Sequence, residues 1–269
     1  MNSKDFSTIY NNLIKEIVLH GKRKSCRFAH ENVDLIKNPE EILYINDVVF
    51  TIENPKSCRL LNPIRKPSHK IGFIEGVMLC DDSDEIKYMP WYKPFSRDGI
   101  HSLSMYGQWI NPYGCKILNK LVSNPNTRQC QFSIYNSELN DWDNDITDVP
   151  CTTCGIFDIE DGKLNLTIFM RSNDLYLGTP YNVQMFCYLL QVYANTLNLK
   201  IGTYTHIVHN LHIYKRNVDE LFKAQGKYEP ALMDIKYDYD TALCVAKNYK
   251  FCIDEGQDFD WKYFEALEV

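Results

Sequence analysis

The sequence lacks long apolar segments. No run approaches the roughly 18 apolar residues that a membrane-spanning helix needs, and the first residues, MNSKDFSTIYNNLIKEIVLHGK, contain no apolar core of a signal peptide. Internal repeats, low-complexity tracts and linker-like segments are also missing. We therefore expect a cytoplasmic protein without a membrane partner, in which residues 1–269 form a single domain.

Positive charge is also in short supply. The chain has 29 Lys and Arg residues against 35 Asp and Glu residues, which gives a net charge of −6. This balance argues against a broad basic surface, so no nucleic-acid partner is expected, although a small basic pocket is compatible with it. Apolar residues make up 45% of the chain and charged residues 24%, so extensive disorder is not expected either.

Cysteine, in contrast, is plentiful, with ten residues. In a cytoplasmic chain of this length, most should be reduced and buried as small apolar side chains. Cys151 and Cys154 form a Cys-x-x-Cys pair, but a zinc ribbon needs a second pair, and a thioredoxin-like site needs a following helix. A redox role is therefore a minor alternative. His206, His209 and His212 alternate between the faces of a predicted strand, so we expect no metal site.

Hydrophobic periodicity predicts an α+β fold with helices and strands mixed along the chain. The predicted helices are 5–20, 69–80, 112–123, 181–199 and 217–224, and the predicted strands are 42–52, 130–135, 155–160, 163–170 and 203–214. Asp161-Gly162, between two alternating runs, is a strong signal for a tight β-hairpin.

An ordered set of polar residues dominates the second half of the chain. The first segment, Asp148-Val-Pro-Cys-Thr-Thr-Cys154, precedes the hairpin. The second, MRSNDLYLGTPYN (170–182), follows the hairpin, and the third, HNLHIYKRN (209–217), follows the long helix. This order resembles the thymidylate synthase family, which includes pyrimidine nucleotide hydroxymethylases. The family signature is Pro-Cys-His, then Arg-Ser-x-Asp-x-x-Leu-Gly-x-Pro-Phe-Asn, then His-x-Tyr. Upstream segments around Arg27, Glu75, Tyr106 and Arg128 fall in family order, so the resemblance covers at least residues 20–217.

The resemblance implies a mixed β-sheet with helices packed on one face, and a homodimer whose protomers pack sheet against sheet. It also implies one-carbon transfer from 5,10-methylenetetrahydrofolate to carbon 5 of a pyrimidine deoxynucleoside monophosphate, with methylation of dUMP as the first expectation. Carbon 5 is a poor nucleophile, and addition of a thiolate at carbon 6 activates it. Cys151 is the expected nucleophile. By resemblance, Glu75 organises proton transfers and Tyr106 helps to remove the carbon-5 proton.

The same resemblance assigns the substrate phosphate to a small cage of donors. Its members would be Arg27, Arg171, Ser172 and Arg128 of the partner subunit. Guanidinium groups suit phosphate because they donate hydrogen bonds in a bidentate fork. Arg171 could also lie beside Cys151 and lower the pKa of its thiol.

Other residues are assigned to the base, the sugar and the folate. Asn182 can donate and accept, which suits the O4/N3 edge of uracil, whereas an Asp at this place goes with cytosine in the family. His212 and Tyr214 face the same side of a strand and, by resemblance, bind the 3′-hydroxyl of the sugar. Asp174 would contact the pterin, and Val269 resembles the terminal valine of a C-terminal lid.

Four departures from the family pattern leave the final chemistry open. Thr152 replaces the His that usually follows the nucleophile, and Met170 replaces the Gln that often precedes the Arg-Ser pair. Both changes resemble phage-type dCMP hydroxymethylases. Gln129 replaces a second arginine, and MPWYKPF (89–95) replaces a tryptophan region. The main alternative is therefore a dUMP or dCMP hydroxymethylase, in which water takes the place of hydride in the last step. A non-catalytic nucleotide- or RNA-binding protein is the third hypothesis.

Overall fold

A single mixed β-sheet forms the centre of the molecule. The computed structural model describes residues 1–26, 40–62, 64–139, 148–226 and 231–261. Within those ranges the strands are β1 (Asn2–Ser3), β2 (Lys22–Cys26), β3 (Glu40–Ile52), β4 (Gln131–Ser133), β5 (Thr152–Glu160), β6 (Lys163–Asp174) and β7 (Lys200–Tyr214). The helices are α1 (Phe6–His20), α2 (His69–Met78), α3 (Gly107–Ile110), α4 (Gly114–Ser123), α5 (Thr179–Thr196), α6 (Val218–Lys223) and α7 (Tyr239–Asp254).

The strand order is β1-β3-β7-β6-β5-β4, with β2 paired to β3. β6 and β7 are parallel and joined through α5, whereas β5 and β6 form an antiparallel hairpin. Asp161 and Gly162 both have positive φ at its turn, 49° and 70°, as a tight hairpin turn requires. The predicted hairpin is therefore confirmed, and both strands extend further toward Cys151 and Asp174 than the apolar pattern indicated.

The two faces of the sheet differ in what covers them. Across β3, β7 and β6, one row of paired residues is Phe50, His206 and Ile168, and all three are completely buried. α5 packs on this face and is itself covered by α2, where the rings of Phe73 and Tyr188 meet edge to face with centroids 5.6 Å apart.

The next row alternates to the opposite face, as the two-residue period of a strand requires. It contains Val49, Ile207 and Phe169; Val49 is 46% exposed and the other two are partly exposed. α5 packs on the opposite face of the sheet, and we call this surface the open face. In the part of the chain that the structure describes, no helix has the length and hydropathy to cross a membrane.

Candidate active site

A cleft of about 440 Å³ lies where α2, the segment 89–106, the start of β5 and the ends of β6 and β7 meet. Seven of the residues predicted from the sequence line this cleft together: Glu75, Tyr106, Cys151, Asp174, Asn182, His212 and Tyr214. They come from regions of the chain far apart in sequence, and the sheet brings them to one place.

Cys151 immediately precedes β5, and the neighbouring strand holds it in position. The backbone N–H of Arg171 donates to the Cys151 carbonyl oxygen (2.9 Å). The guanidinium of Arg171 donates to the carbonyls of Pro150 (3.0 Å) and Val149 (2.7 Å). Burial raises the pKa of the Cys151 thiol, and the Arg171 charge opposes this effect without reversing it. The predicted proximity of Arg171 is therefore present, but the protein alone does not depress the pKa of Cys151.

A buried carboxylate ties the cysteine loop to the segment that carries Tyr106. Asp148 is 2% exposed and accepts hydrogen bonds from the backbone N–H groups of Leu103 (2.7 Å) and Ser104 (3.1 Å). The hydroxyls of Ser102 (3.1 Å) and Ser104 (3.0 Å) also donate to Asp148. We call this arrangement, Asp148 with residues 102–104, the Asp148 clasp.

The clasp brings the Tyr106 ring to the nucleophile. Just beyond it, the backbone N–H of Thr152 donates to the Tyr106 hydroxyl (3.3 Å). The Tyr106 ring stacks on Phe186 of α5, with centroids 6.3 Å apart. Tyr106 is thus fixed beside Cys151 from two sides.

Glu75 projects from α2 into the cleft and is almost completely buried. Trp91 donates through its indole N–H to Glu75 Oε1 (2.9 Å). Within the described residues Oε2 has no hydrogen-bond partner, although the Tyr92 hydroxyl is close enough to lower the pKa of the carboxyl. Burial is the larger effect and raises the pKa of Glu75 to about 7. The carboxyl can therefore take up and release a proton at neutral pH.

His212 and Tyr214 lie side by side at the end of β7, with ring centroids 5.3 Å apart. Ser172 Oγ lies 3.3 Å from His212 Nδ1. Burial lowers the pKa of His212 to about 4, so its imidazole is neutral at pH 7. The pair offers an imidazole and a phenol as neutral hydrogen-bonding groups, which suit a sugar hydroxyl.

Asp174 lines the cleft, and its two carboxylate oxygens differ in their hydrogen bonds. Its Oδ1 accepts from the backbone N–H groups of Tyr176 (2.7 Å) and Leu177 (2.8 Å), whereas its buried Oδ2 has no partner within the described residues. Burial raises the pKa of Asp174 to about 6, against the opposing effect of these backbone bonds. Oδ2 can therefore accept a hydrogen bond from an N–H group of a ligand.

The remaining predicted residues are less close to the cleft. Arg171 and Ser172 adjoin it through the contacts above, while Arg128 is exposed in the turn before β4 and is not among the lining residues. Arg27 and Val269 lie outside the described residues.

Sequence reasoning missed several residues of the cleft. Trp91 and Tyr92 fall in the divergent 89–95 segment, where no familiar spacing identifies them. Arg65 is 8% exposed and lies over the rings of Tyr176 and Tyr181, 5.1 and 5.4 Å from their centroids. Its only sequence signal is the Asn-Pro-x-Arg segment that precedes α2.

Comparison with known proteins gives consistent matches. Residues 112–250 match the family model described as "Thymidylate synthase". The chain is 36% identical, over 85% of its length and 67% of the relative, to the deoxyuridylate hydroxymethyltransferase of Bacillus phage SP01. It is 32% identical, over 82% of its length and 77% of the relative, to the thymidylate synthase of Mycoplasma genitalium.

The fold has a solved counterpart as well. The thermostable thymidylate synthase A from Bacillus subtilis superposes with a TM-score of 0.69, covering 88% of this chain and 91% of that one at 20% identity. This likeness supports the predicted mixed sheet with packed helices.

Proposed function

Because the chain belongs to the thymidylate synthase family, we propose that it transfers a one-carbon unit from methylenetetrahydrofolate to carbon 5 of dUMP and completes the reaction as a methylation. The observation that carries this proposal is the convergence of Cys151, Tyr106, Glu75 and Asn182 on one cleft. That set contains a nucleophile, two groups for proton transfer and an amide that can read a pyrimidine edge.

Cys151 attacks carbon 6 of the uracil as a thiolate. In the protein alone, burial keeps the thiol protonated, and Arg171 provides the opposing positive charge. Addition at carbon 6 converts carbon 5 into an enolate carbon that can attack an electrophilic one-carbon unit. The proton lost from the thiol needs an acceptor in the cleft.

Glu75 and Tyr106 are the groups for proton transfer. With a pKa of about 7, the Glu75 carboxyl exchanges protons with the base at neutral pH. Burial raises the pKa of Tyr106 far above neutrality, so its hydroxyl stays protonated. We propose that Tyr106 acts as a hydrogen-bonding relay in removing the carbon-5 proton.

The substrate is held by groups of complementary chemistry. His212 and Tyr214 are proposed to bind the 3′-hydroxyl, and Asn182 the O4/N3 edge of uracil. Arg171 and Ser172 are proposed to bind the phosphate. Arg27 and the partner's Arg128 are proposed to complete that cage, which explains how an acidic chain can bind a dianion.

The cleft also fits the folate. The free Oδ2 of Asp174 is a buried acceptor, which matches the N–H donors of a pterin. When bound, the folate supplies the one-carbon unit and, for methylation, a hydride. Asp174 orients it, and we propose that Val269 closes over it.

The open face supports a homodimer. Paired apolar and threonine side chains of β3, β7 and β6, such as Val49, Ile207 and Phe169, form a partly exposed surface on the face of the sheet opposite α5. We propose that two protomers pack these faces together, so that Arg128 of each subunit reaches the phosphate of the other. We also propose a single domain over residues 1–269 and a cytoplasmic location.

Hydroxymethylation is the second candidate function. It is favoured by the 36% identity to the phage deoxyuridylate hydroxymethyltransferase and by Thr152 and Met170, which depart from the synthase pattern. In that branch, water adds to the exocyclic methylene at carbon 5 in place of hydride.

Release of tritium from [5-³H]dUMP in the presence of methylenetetrahydrofolate tests the proposal. We expect release that depends on both substrates. The absence of release with both dUMP and dCMP would reject catalysis and leave the non-catalytic hypothesis.

A further inference from the structure

A chain of buried polar side chains lies behind the wall of the cleft that carries Asn182. The Tyr204 hydroxyl lies 2.7 Å from His206 Nδ1, and His206 Nε2 lies 3.2 Å from Asn173 Oδ1. Asn173 Nδ2 donates in turn to Asn182 Oδ1 over 2.8 Å. Tyr204 and His206 are completely buried and Asn173 is 3% exposed. Only Asn173 and Asn182 reach the cleft.

The direction of each hydrogen bond follows from the chemistry of its partners. Burial raises the pKa of Tyr204 well above its ordinary value, so the phenol keeps its proton. We assign that proton to the hydrogen bond with His206 Nδ1, the partner of this hydroxyl within the described residues. Burial lowers the pKa of His206 to about 3, so the imidazole is neutral and carries one proton. That proton must be on Nε2, because Nδ1 is already an acceptor. The ring of Phe50 stacks on the imidazole, with centroids 4.8 Å apart.

The proton on His206 Nε2 determines the orientation of the next amide. It points at Asn173, whose facing atom must therefore be the carbonyl oxygen. The Thr179 hydroxyl also donates to this oxygen (2.8 Å), in a bond that it shares between Asn173 Oδ1 and the Asp174 carbonyl oxygen (2.9 Å). The NH₂ group of Asn173 is consequently directed to Asn182, where it meets Oδ1.

Asn182 is thereby fixed in one of its two amide orientations. Its Oδ1 accepts from Asn173, and within the described residues its Nδ2 has no acceptor. Nδ2 is thus left to donate to a ligand. The carbonyl O4 of uracil accepts such a bond, whereas the amino group of cytosine would meet another donor.

We propose that Asn173, His206 and Tyr204 are positioning residues that set the base specificity of this site by locking the Asn182 amide in its uracil-reading orientation. This inference rests on the proposed function, because it takes the cleft to bind a pyrimidine nucleotide. It extends that function to residues that do not contact the reacting atoms.

The cost of burying the network is consistent with such a role. A histidine at a fully buried strand position, where an apolar side chain would pack without polar groups, is tolerated only when its hydrogen bonds are satisfied. Here both ring nitrogens are satisfied, and the chain of bonds leads to the cleft rather than ending in the core.

Equilibrium binding of dUMP and dCMP to two variants of one residue tests the inference. Asn173→Leu keeps the volume but removes the donor to Asn182, so we expect the affinity ratio of dUMP to dCMP to fall roughly tenfold, the value of one hydrogen bond. Asn173→Asp, measured at pH 8, can only accept from Asn182. This should turn Oδ1 toward the ligand and shift the ratio further toward dCMP.

Two further variants separate specificity from packing. Tyr204→Phe removes the hydroxyl that fixes the His206 tautomer, so the ratio should fall in the same direction but less. Phe50→Leu disturbs the packing on His206 without removing a hydrogen bond, and it should lower the melting temperature while leaving the ratio unchanged. Circular dichroism checks that each variant is folded.

The outcomes distinguish this inference from the proposed function. If wild-type protein prefers dUMP but folded Asn173→Leu and Tyr204→Phe keep the wild-type ratio, the inference is wrong and the proposed function stands. If Asn173 variants do not fold, the ratio for Tyr204→Phe decides in the same way. If wild-type protein binds neither nucleotide, the proposed function fails and the inference falls with it.

Discussion

At the scale of single residues, Cys151 is the proposed nucleophile, and its environment favours the thiolate less than the sequence indicated. An arginine beside a cysteine predicts a low thiol pKa, but burial of the thiol raises that pKa by more than the Arg171 charge lowers it. Burial prevails in the protein alone. The thiol therefore needs a proton acceptor in the substrate complex before it can attack as a thiolate.

Replacing Cys151 with serine should abolish tritium release from [5-³H]dUMP, by about a thousandfold or more, because a hydroxyl is far harder to ionise than a thiol. The affinity for dUMP should stay within about twofold, since the side chains differ by one atom. Release assays and calorimetric titration measure the two effects. Cys154→Ser is the matched control and should keep full activity; an active Cys151→Ser variant would exclude covalent catalysis by this residue.

Glu75 should make the stability of the protein fall as pH rises. Its pKa is raised from 4.5 to about 7 in the folded state, so the folded protein holds this proton more tightly than the unfolded chain does. The stabilisation is complete below pH 4.5 and is lost as pH rises through about 7.

Glu75→Gln removes this dependence while keeping the shape of the side chain. The variant should match wild type at about pH 4 and exceed its unfolding free energy at pH 8 by up to roughly 3 kcal/mol. Urea denaturation followed by tryptophan fluorescence measures the difference. Equal slopes against pH for the two proteins would contradict the burial of a neutral carboxyl at this position.

At the scale of elements, most of the regular structure was predictable, and the exceptions have physical causes. α1 and the hairpin follow strong periodic patterns and turn signals. α7 (Tyr239–Asp254) escaped prediction because its buried side is built largely from small or weakly apolar residues such as Ala242, Ala246 and Cys252. Asp238 nevertheless caps the helix by accepting from the Thr241 backbone N–H (2.9 Å). β5 begins earlier than its apolar run because Thr152 pairs with Met170.

The Asp148 clasp could not be predicted, since it joins loops 44 to 46 residues apart through backbone N–H groups and hydroxyls. Asp148→Ala leaves these donors without their partner, so we expect a loss of about 1–3 kcal/mol in unfolding free energy. We also expect kcat to fall about tenfold or more, because Tyr106 and Cys151 lose their fixed separation.

Asp98 provides the control for this prediction. It accepts from the backbone N–H groups of Ile100 and His101 in the same region of the chain, but it is exposed. Asp98→Ala should therefore change kcat little. Chemical denaturation and steady-state kinetics measure both variants, and an Asp148→Ala enzyme with wild-type kcat would refute the positioning role of the clasp.

At the scale of the whole molecule, the two faces of the sheet differ, because α5 packs on one of them and the open face carries partly exposed side chains. The row containing Val49, Ile207 and Phe169 would be covered in a sheet-to-sheet homodimer. Periodicity alone could indicate which residues face the helices, but not what covers the other side. The family resemblance supplied that expectation.

Ile207→Asp should disrupt the proposed homodimer, because burying an unpaired carboxylate in an apolar interface is costly. Sedimentation should shift from dimer to monomer, and activity should fall with it if the partner's Arg128 completes the phosphate cage. Val122→Asp is the control, since Val122 is 68% exposed on α4. A monomeric wild-type protein with full activity would contradict the proposed assembly.

One-carbon transfer to carbon 5 of dUMP changes the mass of the nucleotide, so the mass of the product tests the proposed reaction. Protein incubated with dUMP and methylenetetrahydrofolate should yield a nucleotide heavier by one CH₂ group, together with dihydrofolate. A product heavier by CH₂O, with tetrahydrofolate retained, would replace methylation with hydroxymethylation. Recovery of unmodified dUMP, under conditions in which the protein binds both substrates, would contradict one-carbon transfer to dUMP.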